Sequence, residues 1–260
     1  MYEDLYAPLP DTEKYLRRIG LEPDCIKADY HSLCRILRGH LAHIPFENID
    51  AYDEGKTPEL GVPALFDKMI NHRRGGWCFE LNGLLGALLQ ALGFETYFVG
   101  VRVTVGGNEM ALVLHRGIIA VLPEGKFYCD VGFGTLAFSK PIPLSGEDIP
   151  GGYFIMADAG QYRVCQRKDE GADYLLRFED RAYLPQDYVV ANFFTSQNTA
   201  TPFRKRRSIS IQIDELRRQL VDNTMKEYVN GELVRKVTAE DNIQLKALVK
   251  ECFDIEYDFE

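Results

Sequence analysis

Three residues of this chain could act together on an acyl carbon: Cys78, His115 and Asp130. A thiol attacks such a carbon well only as the thiolate. A neighbouring imidazole accepts the thiol proton, and a carboxylate on the far ring nitrogen fixes the tautomer and stabilises the imidazolium. The backbone N–H of Cys78 is a candidate oxyanion donor. Cys78 stands in Arg-Arg-Gly-Gly-Trp-Cys-Phe-Glu-Leu-Asn, residues 73–82. The two glycines permit a tight turn, and the apolar run from Leu81 to Leu92 reads as a buried helix. The sulfur is therefore expected at a helix start, where unpaired N–H groups and the macrodipole favour a thiolate. Each residue also has a plainer reading. A lone cysteine is often buried for packing, His115 could be a core residue bonded to a carbonyl, and Asp130 could cap the Gly132-Phe133-Gly134 turn. The combination, with an Arg-Gly-Gly-x-Cys helix start, favours the chemistry.

The elements that must bring the three together can be read from periodicity. Asp11-Thr12 before Tyr15, Leu16 and Ile19, then Ser32, Leu33, Ile36, Leu37 and Leu41, mark a short helical hairpin that ends at Pro45-Phe46-Glu47-Asn48. A further helix is expected over 62–71, with Pro63 in its first turn. From Phe94 the period becomes alternating: Val99, Val101, Val103 and Val105 share one face of a strand, Gly106-Gly107-Asn108 turns, and the next strand runs from Met110 to His115 and on to Val121. Pro123-Glu124-Gly125-Lys126 turns again, and Phe127 to Val131 returns toward His115. A register about Glu124-Gly125 sets Asp130 opposite Ile119, four residues short of His115, so a bulge or longer loop is needed to make the pair. Strands near 153–155, 162–164, 174–178, 209–213 and 227–229, a hairpin at Asn230-Gly231 and a closing helix over 242–252 complete the pattern. The fold class expected is α+β. Its parts are a helical bundle with the cysteine (1–92), an antiparallel β-barrel with the His and Asp (93–190), an interdomain segment (191–208) and an α/β lid (209–260).

Composition narrows the partners. The 260 residues have the apolar and charged fractions of a soluble globular protein, and a net charge of −9 argues against nucleic acid. One run departs from that balance: Arg204-Lys205-Arg206-Arg207, either a solvated turn or a landing site for the phosphates of a small molecule. Six cysteines without a C-x-x-C pair or zinc spacing read as reduced thiols of a cytoplasmic protein with no metal, and His40 and His43 lack a third ligand. No signal peptide or membrane span is read in the chain. Oligomeric state is not legible.

The chain resembles the arylamine N-acetyltransferases. The resemblance rests on Pro45-Phe46-Glu47-Asn48, Arg74-Gly75-Gly76-Trp77-Cys78-Phe79-Glu80-Leu81-Asn82-Gly83, His115, Asp130-Val131-Gly132-Phe133-Gly134, and Phe194-Thr195-Ser196 followed by Pro202-Phe203. It implies the three-part fold around a cysteine-protease-like triad core of Cys78, His115 and Asp130. It also implies a two-step exchange in which the cysteine takes an acetyl group from acetyl-CoA and an arylamine or hydrazine nitrogen attacks the thioester, as in the acetylation of drugs and other xenobiotics. By the same resemblance Phe133 lines the acceptor pocket, Gly134, Thr135 and Phe203 lie near the CoA arm, and Glu47 and Arg74 form a structural ion pair that holds the cysteine loop. Arg116-Gly117 departs from the usual apolar continuation after the His and so bears on the acceptor mouth. Relatives with the same triad join other acyl chains to amines. An amide synthase, or a cysteine hydrolase using another acyl donor, is accordingly the alternative enzyme, and a binding module without activity is the third possibility.

Overall fold

The computed structural model describes residues 2–259. Helices α1 (Thr12–Arg18) and α2 (Tyr30–His43) are each started by an aspartate, Asp11 or Asp29, whose side chain accepts the N–H three residues on. Such a cap is worth about 0.5–2 kcal/mol. Leu33, Ile36, Leu37 and Leu41 fall on the buried face of α2, as their spacing requires. Strand β1 (Phe46–Glu47), α3 (Ile49–Tyr52) and α4 (Val62–Phe66) follow, and α4 runs on into a π-helical turn over Asp67–Asn71. Helix α5 (Cys78–Ala91) begins at the cysteine itself. Leu81, Leu84, Leu85, Leu88 and Leu89 form an apolar stripe along it, and every residue from Cys78 to Gly86 is buried, so its first turns are surrounded on all sides. Each leucine so buried contributes about 1.5–3 kcal/mol.

Strands β2 (Glu95–Val103), β3 (Val113–Leu122), β4 (Gly125–Cys129), β5 (Ile142–Pro143), β6 (Tyr153–Asp158), β7 (Gln161–Arg167) and β8 (Ala172–Glu179) form an antiparallel sheet in the order β5-β4-β3-β2-β8-β7-β6. Its end strands β5 and β6 meet again, nearly closing a barrel. Two details differ from the sequence expectation. Strand β3 starts at Val113 rather than Met110, and residues 105–112 form a loop that leaves Met110 and Leu112 exposed. The β3–β4 turn is centred on Pro123-Glu124, pairing Leu122 with Gly125 and Ile118 with Cys129. That register, continued, sets Asp130 opposite Gly117, two residues from His115 instead of four. A bulge does occur, but on the other side of β3: Val101 pairs with His115 and Arg102 with Val113, leaving Leu114 as the extra residue.

Helices α6 (Tyr188–Gln197) and α7 (Pro202–Lys205) lead to β9 (Ser208–Ile213), β10 (Leu216–Val221), β11 (Thr224–Val229), β12 (Glu232–Thr238) and α8 (Asn242–Phe253). Asn230 and Gly231 both take positive φ, 51° and 84°, as a two-residue hairpin turn of type I′ needs. The second sheet is antiparallel in the order β1-β9-β10-β11-β12. Its first strand thus comes from the helical third of the chain, with Phe46 opposite Ser210 and Glu47 opposite Ile209. The sequence reads those two residues only as the end of a helical hairpin. Their pairing ties the C-terminal sheet to the stretch next to the cysteine loop. Ile209, Leu220 and Met225 pack with Leu245, Val249 and Phe253 of α8 into a core of their own. Cys34, Cys78, Cys129, Cys165 and Cys252 are free thiols, and the side chain of Cys25 lies outside what the structure describes. No helix among the described residues is long and apolar enough to cross a membrane.

Candidate active site

The loop before Cys78 is sewn to β1. Gly76 N–H donates to the Pro45 carbonyl at 3.3 Å and Glu47 N–H to the Gly76 carbonyl at 2.8 Å. A Cβ on Gly75 would come within 2.0 Å of the Pro45 carbonyl oxygen, so glycine is required there for close approach. The left-handed residue of the turn is Arg73, with φ 55°, rather than either glycine. Glu47 and Arg74 are indeed an ion pair, Oε1 to Nη2 2.8 Å, but they belong to a larger buried cluster. Arg74 also reaches Asp50 at 2.6 Å, and Lys68 reaches Asp50 and Glu80 at 2.7 Å each. Glu80 Oε2 accepts the Trp77 N–H, capping α5 one residue ahead of the sulfur. Three carboxylates share two cations here. Burial first, and then Asp50 and Glu47, push the Glu80 pKa up to about 7 against the pull of Lys68. Sequence reading missed Asp50, Lys68 and Glu80, which lie on three separate elements.

Strand β3 and the end of β4 bring in the other two groups. His115 Nε2 is 2.5 Å from Asp130 Oδ2, and both side chains are buried. Nδ1 is thereby left for Cys78, which neighbours the ring, and Cys78 Sγ stands 4.0 Å from the carbonyl of the bulged Leu114. Burial opposes a charge on the ring, yet Asp130 and Cys78 outweigh it and push the His115 pKa up to about 10. Asp130 uses its two oxygens separately. Oδ1 accepts the Gly132 N–H at 2.8 Å, capping the turn, while Oδ2 faces His115.

Asn82 locks the arrangement from α5. It lies four residues after Cys78, on the same helix face. Its Nδ2 donates to Asp130 Oδ1 at 2.8 Å and to the Arg116 carbonyl at 2.6 Å, and its Oδ1 accepts the Val131 N–H at 2.9 Å. Gly132 passes so close that a Cβ would lie 2.5 Å from Cys78 Cα. Arg116, whose effect on the acceptor mouth the sequence leaves open, turns away from His115. Its guanidinium is buried on the opposite face of β3, 4.4 Å from the Phe98 ring centroid and 4.2 Å from that of Tyr188, donating to the Phe79 carbonyl at 2.8 Å.

A cleft of about 630 Å³ opens over the sulfur and the imidazole. Phe133, Gly134, Thr135 and Phe203 all line it, and the Phe133 ring centroid is 5.7 Å from that of His115. Its lining includes the apolar Val103, Val105, Met110 and Leu112 and the hydroxyl residues Thr195, Thr201, Ser208 and Ser210. His115 is the only ionisable group besides Cys78 among the described lining residues. Asp130, Glu47 and Arg74 stand behind the surface of the cleft.

A family model described as N-acetyltransferase matches residues 29–260. The chain belongs to that family. Over 268 residues it is 28% identical to arylamine N-acetyltransferase 2 of Mus musculus, an alignment covering 93% of this chain and 90% of the relative. The solved structure of the arylamine N-acetyltransferase from Salmonella typhimurium matches with a TM-score of 0.89 at 25% identity, over 96% of this chain and 92% of that one. That of the Mycobacterium marinum arylamine N-acetyltransferase in complex with CoA shares the fold, with a TM-score of 0.85 at 23% identity over 94% and 93%. Family membership makes the chain a transferase with the α+β fold expected from its sequence. Within this family member the basic run is divided. Arg204 donates to the Ala51 carbonyl and Arg207 pairs with Asp53, whereas Lys205 and Arg206 are exposed.

Proposed function

We propose that the protein moves an acetyl or short acyl group from acyl-CoA to the nitrogen of an arylamine or arylhydrazine, through a thioester on Cys78, in a two-step ping-pong exchange. The observation that supports this most is the line Cys78, His115, Asp130 opening on a cleft without other charge. His115 holds the thiol proton, and the Cys78 sulfur attacks the carbonyl carbon of the donor. The bond from that carbon to the CoA sulfur breaks, and the imidazolium returns its proton to the departing CoA. In the second half the amine nitrogen attacks the Cys78 thioester, the ring takes a proton from the nitrogen, and the cysteine sulfur leaves. The Cys78 N–H, at the first position of α5, serves as oxyanion donor. Phe133 forms the acceptor side, and Gly134, Thr135 and Phe203 the side of the CoA arm. Glu47 and Arg74 hold the loop. In this division of labour residues 1–92 supply the sulfur, 93–190 the imidazole and carboxylate, and 209–260 the cover, with 191–208 joining them. The scheme uses no metal and suits a reduced, cytoplasmic thiol.

Mixing the enzyme with acetyl-CoA and no acceptor is expected to release CoA in a burst stoichiometric with protein, absent in Cys78→Ala. No burst from the unaltered enzyme would overturn the proposal. An amide synthase or hydrolase on the same residues would instead turn over an ester or amide donor without CoA.

A further inference from the structure

We propose that Tyr128 is a positioning residue for the acyl transfer, its hydroxyl holding the Asp130 carboxylate in line with His115, and that Gly117 is the residue that admits it. The inference rests on the reading of Cys78, His115 and Asp130 as the reacting groups. Tyr128 lies on β4 two residues before Asp130, so both side chains leave the same face. Tyr128 Oη donates to Asp130 Oδ2 at 2.8 Å, the same oxygen that faces His115 Nε2 at 2.5 Å. The other oxygen, Oδ1, is taken by Asn82 Nδ2 and the Gly132 N–H, at 2.8 Å each. Four donors therefore surround one buried carboxylate, and only His115 among them changes its protonation in the reaction.

The tyrosine reaches this place because β3 has no side chain at position 117. A Cβ there would stand 2.5 Å from Tyr128 Cε2 and 2.8 Å from its Oη. The ring is fully buried, stacked on Phe178 at 4.9 Å between centroids. Burial, and then Asp130, raise the pKa of the phenol well above its usual value, so the hydroxyl remains a donor at every pH the enzyme works at. The other titratable groups facing this pocket are His115 from β3, Cys78 from α5 and Tyr188 from α6. By sharing Oδ2, the phenol disperses part of the carboxylate's negative charge and weakens its pull on the imidazolium. The ring is thereby kept acidic enough to give its proton back to the leaving CoA.

The test is single-turnover release of CoA from acetyl-CoA across a pH series, with the His115–Asp130 hydrogen-bonded proton followed by NMR. Tyr128→Phe removes one oxygen and keeps the ring, and Gly117→Ala displaces the ring while keeping the hydroxyl. Each is expected to slow the burst about tenfold. Each should also move the downfield proton and raise the pH at which the ring deprotonates by about half a unit. The double variant should be no slower than either single one, since both remove the same contact. A burst of unchanged rate, an unmoved resonance or additive losses would overturn the assignment while leaving the thioester reading intact. A wild-type enzyme without a burst would instead overturn that reading, and this one with it.

Discussion

At the scale of single residues, Asn82 joins more of the site than any other side chain. Its amide spans α5, β3 and the segment after β4, and all three of its hydrogen bonds are buried. Alanine at this position leaves the Val131 N–H, the Arg116 carbonyl and Asp130 Oδ1 each short of a partner. A buried group so stranded costs about 1–3 kcal/mol. Asn82→Ala is accordingly expected to lower the stability measured by urea unfolding by at least about 2 kcal/mol, and to slow CoA release in the burst. If the variant melts like the parent, Asn82 does not tie the three elements together. The residue was within reach of sequence reading, because Glu-Leu-Asn places it one helical turn after the cysteine. Tyr128 was too, two residues before the aspartate on the same strand face. What periodicity shows in both cases is direction, and the partner depends on which strand arrives opposite.

At the scale of elements, α1 and α2 meet through a polar contact inside an apolar core. Tyr15 Oη lies 2.9 Å from His40 Nδ1, and both residues are completely buried. Burial, with Arg18 and His43 adding to it, lowers the His40 pKa to about 3. In the unfolded chain the ring titrates near 6.5. Between these values the unfolded state binds the proton and the folded state does not. The contribution is therefore fully present above pH 6.5 and is lost as the pH falls toward 3, at up to about 1.4 kcal/mol per unit. His40→Gln keeps an acceptor for Tyr15 and has no such proton. Urea unfolding between pH 4 and 7 is expected to show a shallower loss of stability in the variant, and equal slopes would exclude the buried ring as the cause. The sequence discloses helix α2 through its apolar stripe and its aspartate cap, and it discloses the β3–β4 hairpin through Pro-Glu-Gly-Lys. It does not disclose the register of that hairpin, which a one-residue shift of the turn moves by two, nor the bulge at Leu114. It conceals β1 altogether, because two residues paired with a strand more than 160 positions later carry no local period.

At the scale of the whole molecule, the proposed acyl-CoA donor is an anion and the protein is acidic. The net charge of −9 repels the phosphates of CoA, so any cations near the cleft should be felt strongly at low salt. Phe203 and Ser208 both line the cleft, and the basic run lies between them. Arg204 and Arg207 are committed to Ala51 and Asp53, and Arg207 also covers the Phe259 ring at 4.5 Å. Lys205 and Arg206 remain exposed, without an ion pair among the described residues. These two are the ones able to meet phosphate. In a ping-pong exchange, kcat/KM for the donor reports only the first half-reaction and kcat/KM for the acceptor only the second. Replacing both Lys205 and Arg206 with Ala is therefore expected to lower kcat/KM for acetyl-CoA about tenfold at low ionic strength, the loss shrinking as salt screens the parent's advantage. The value for the arylamine should stay where it was. Should both constants fall together, the two side chains matter to the shape of the cleft, and the donor's phosphates lie elsewhere on the surface.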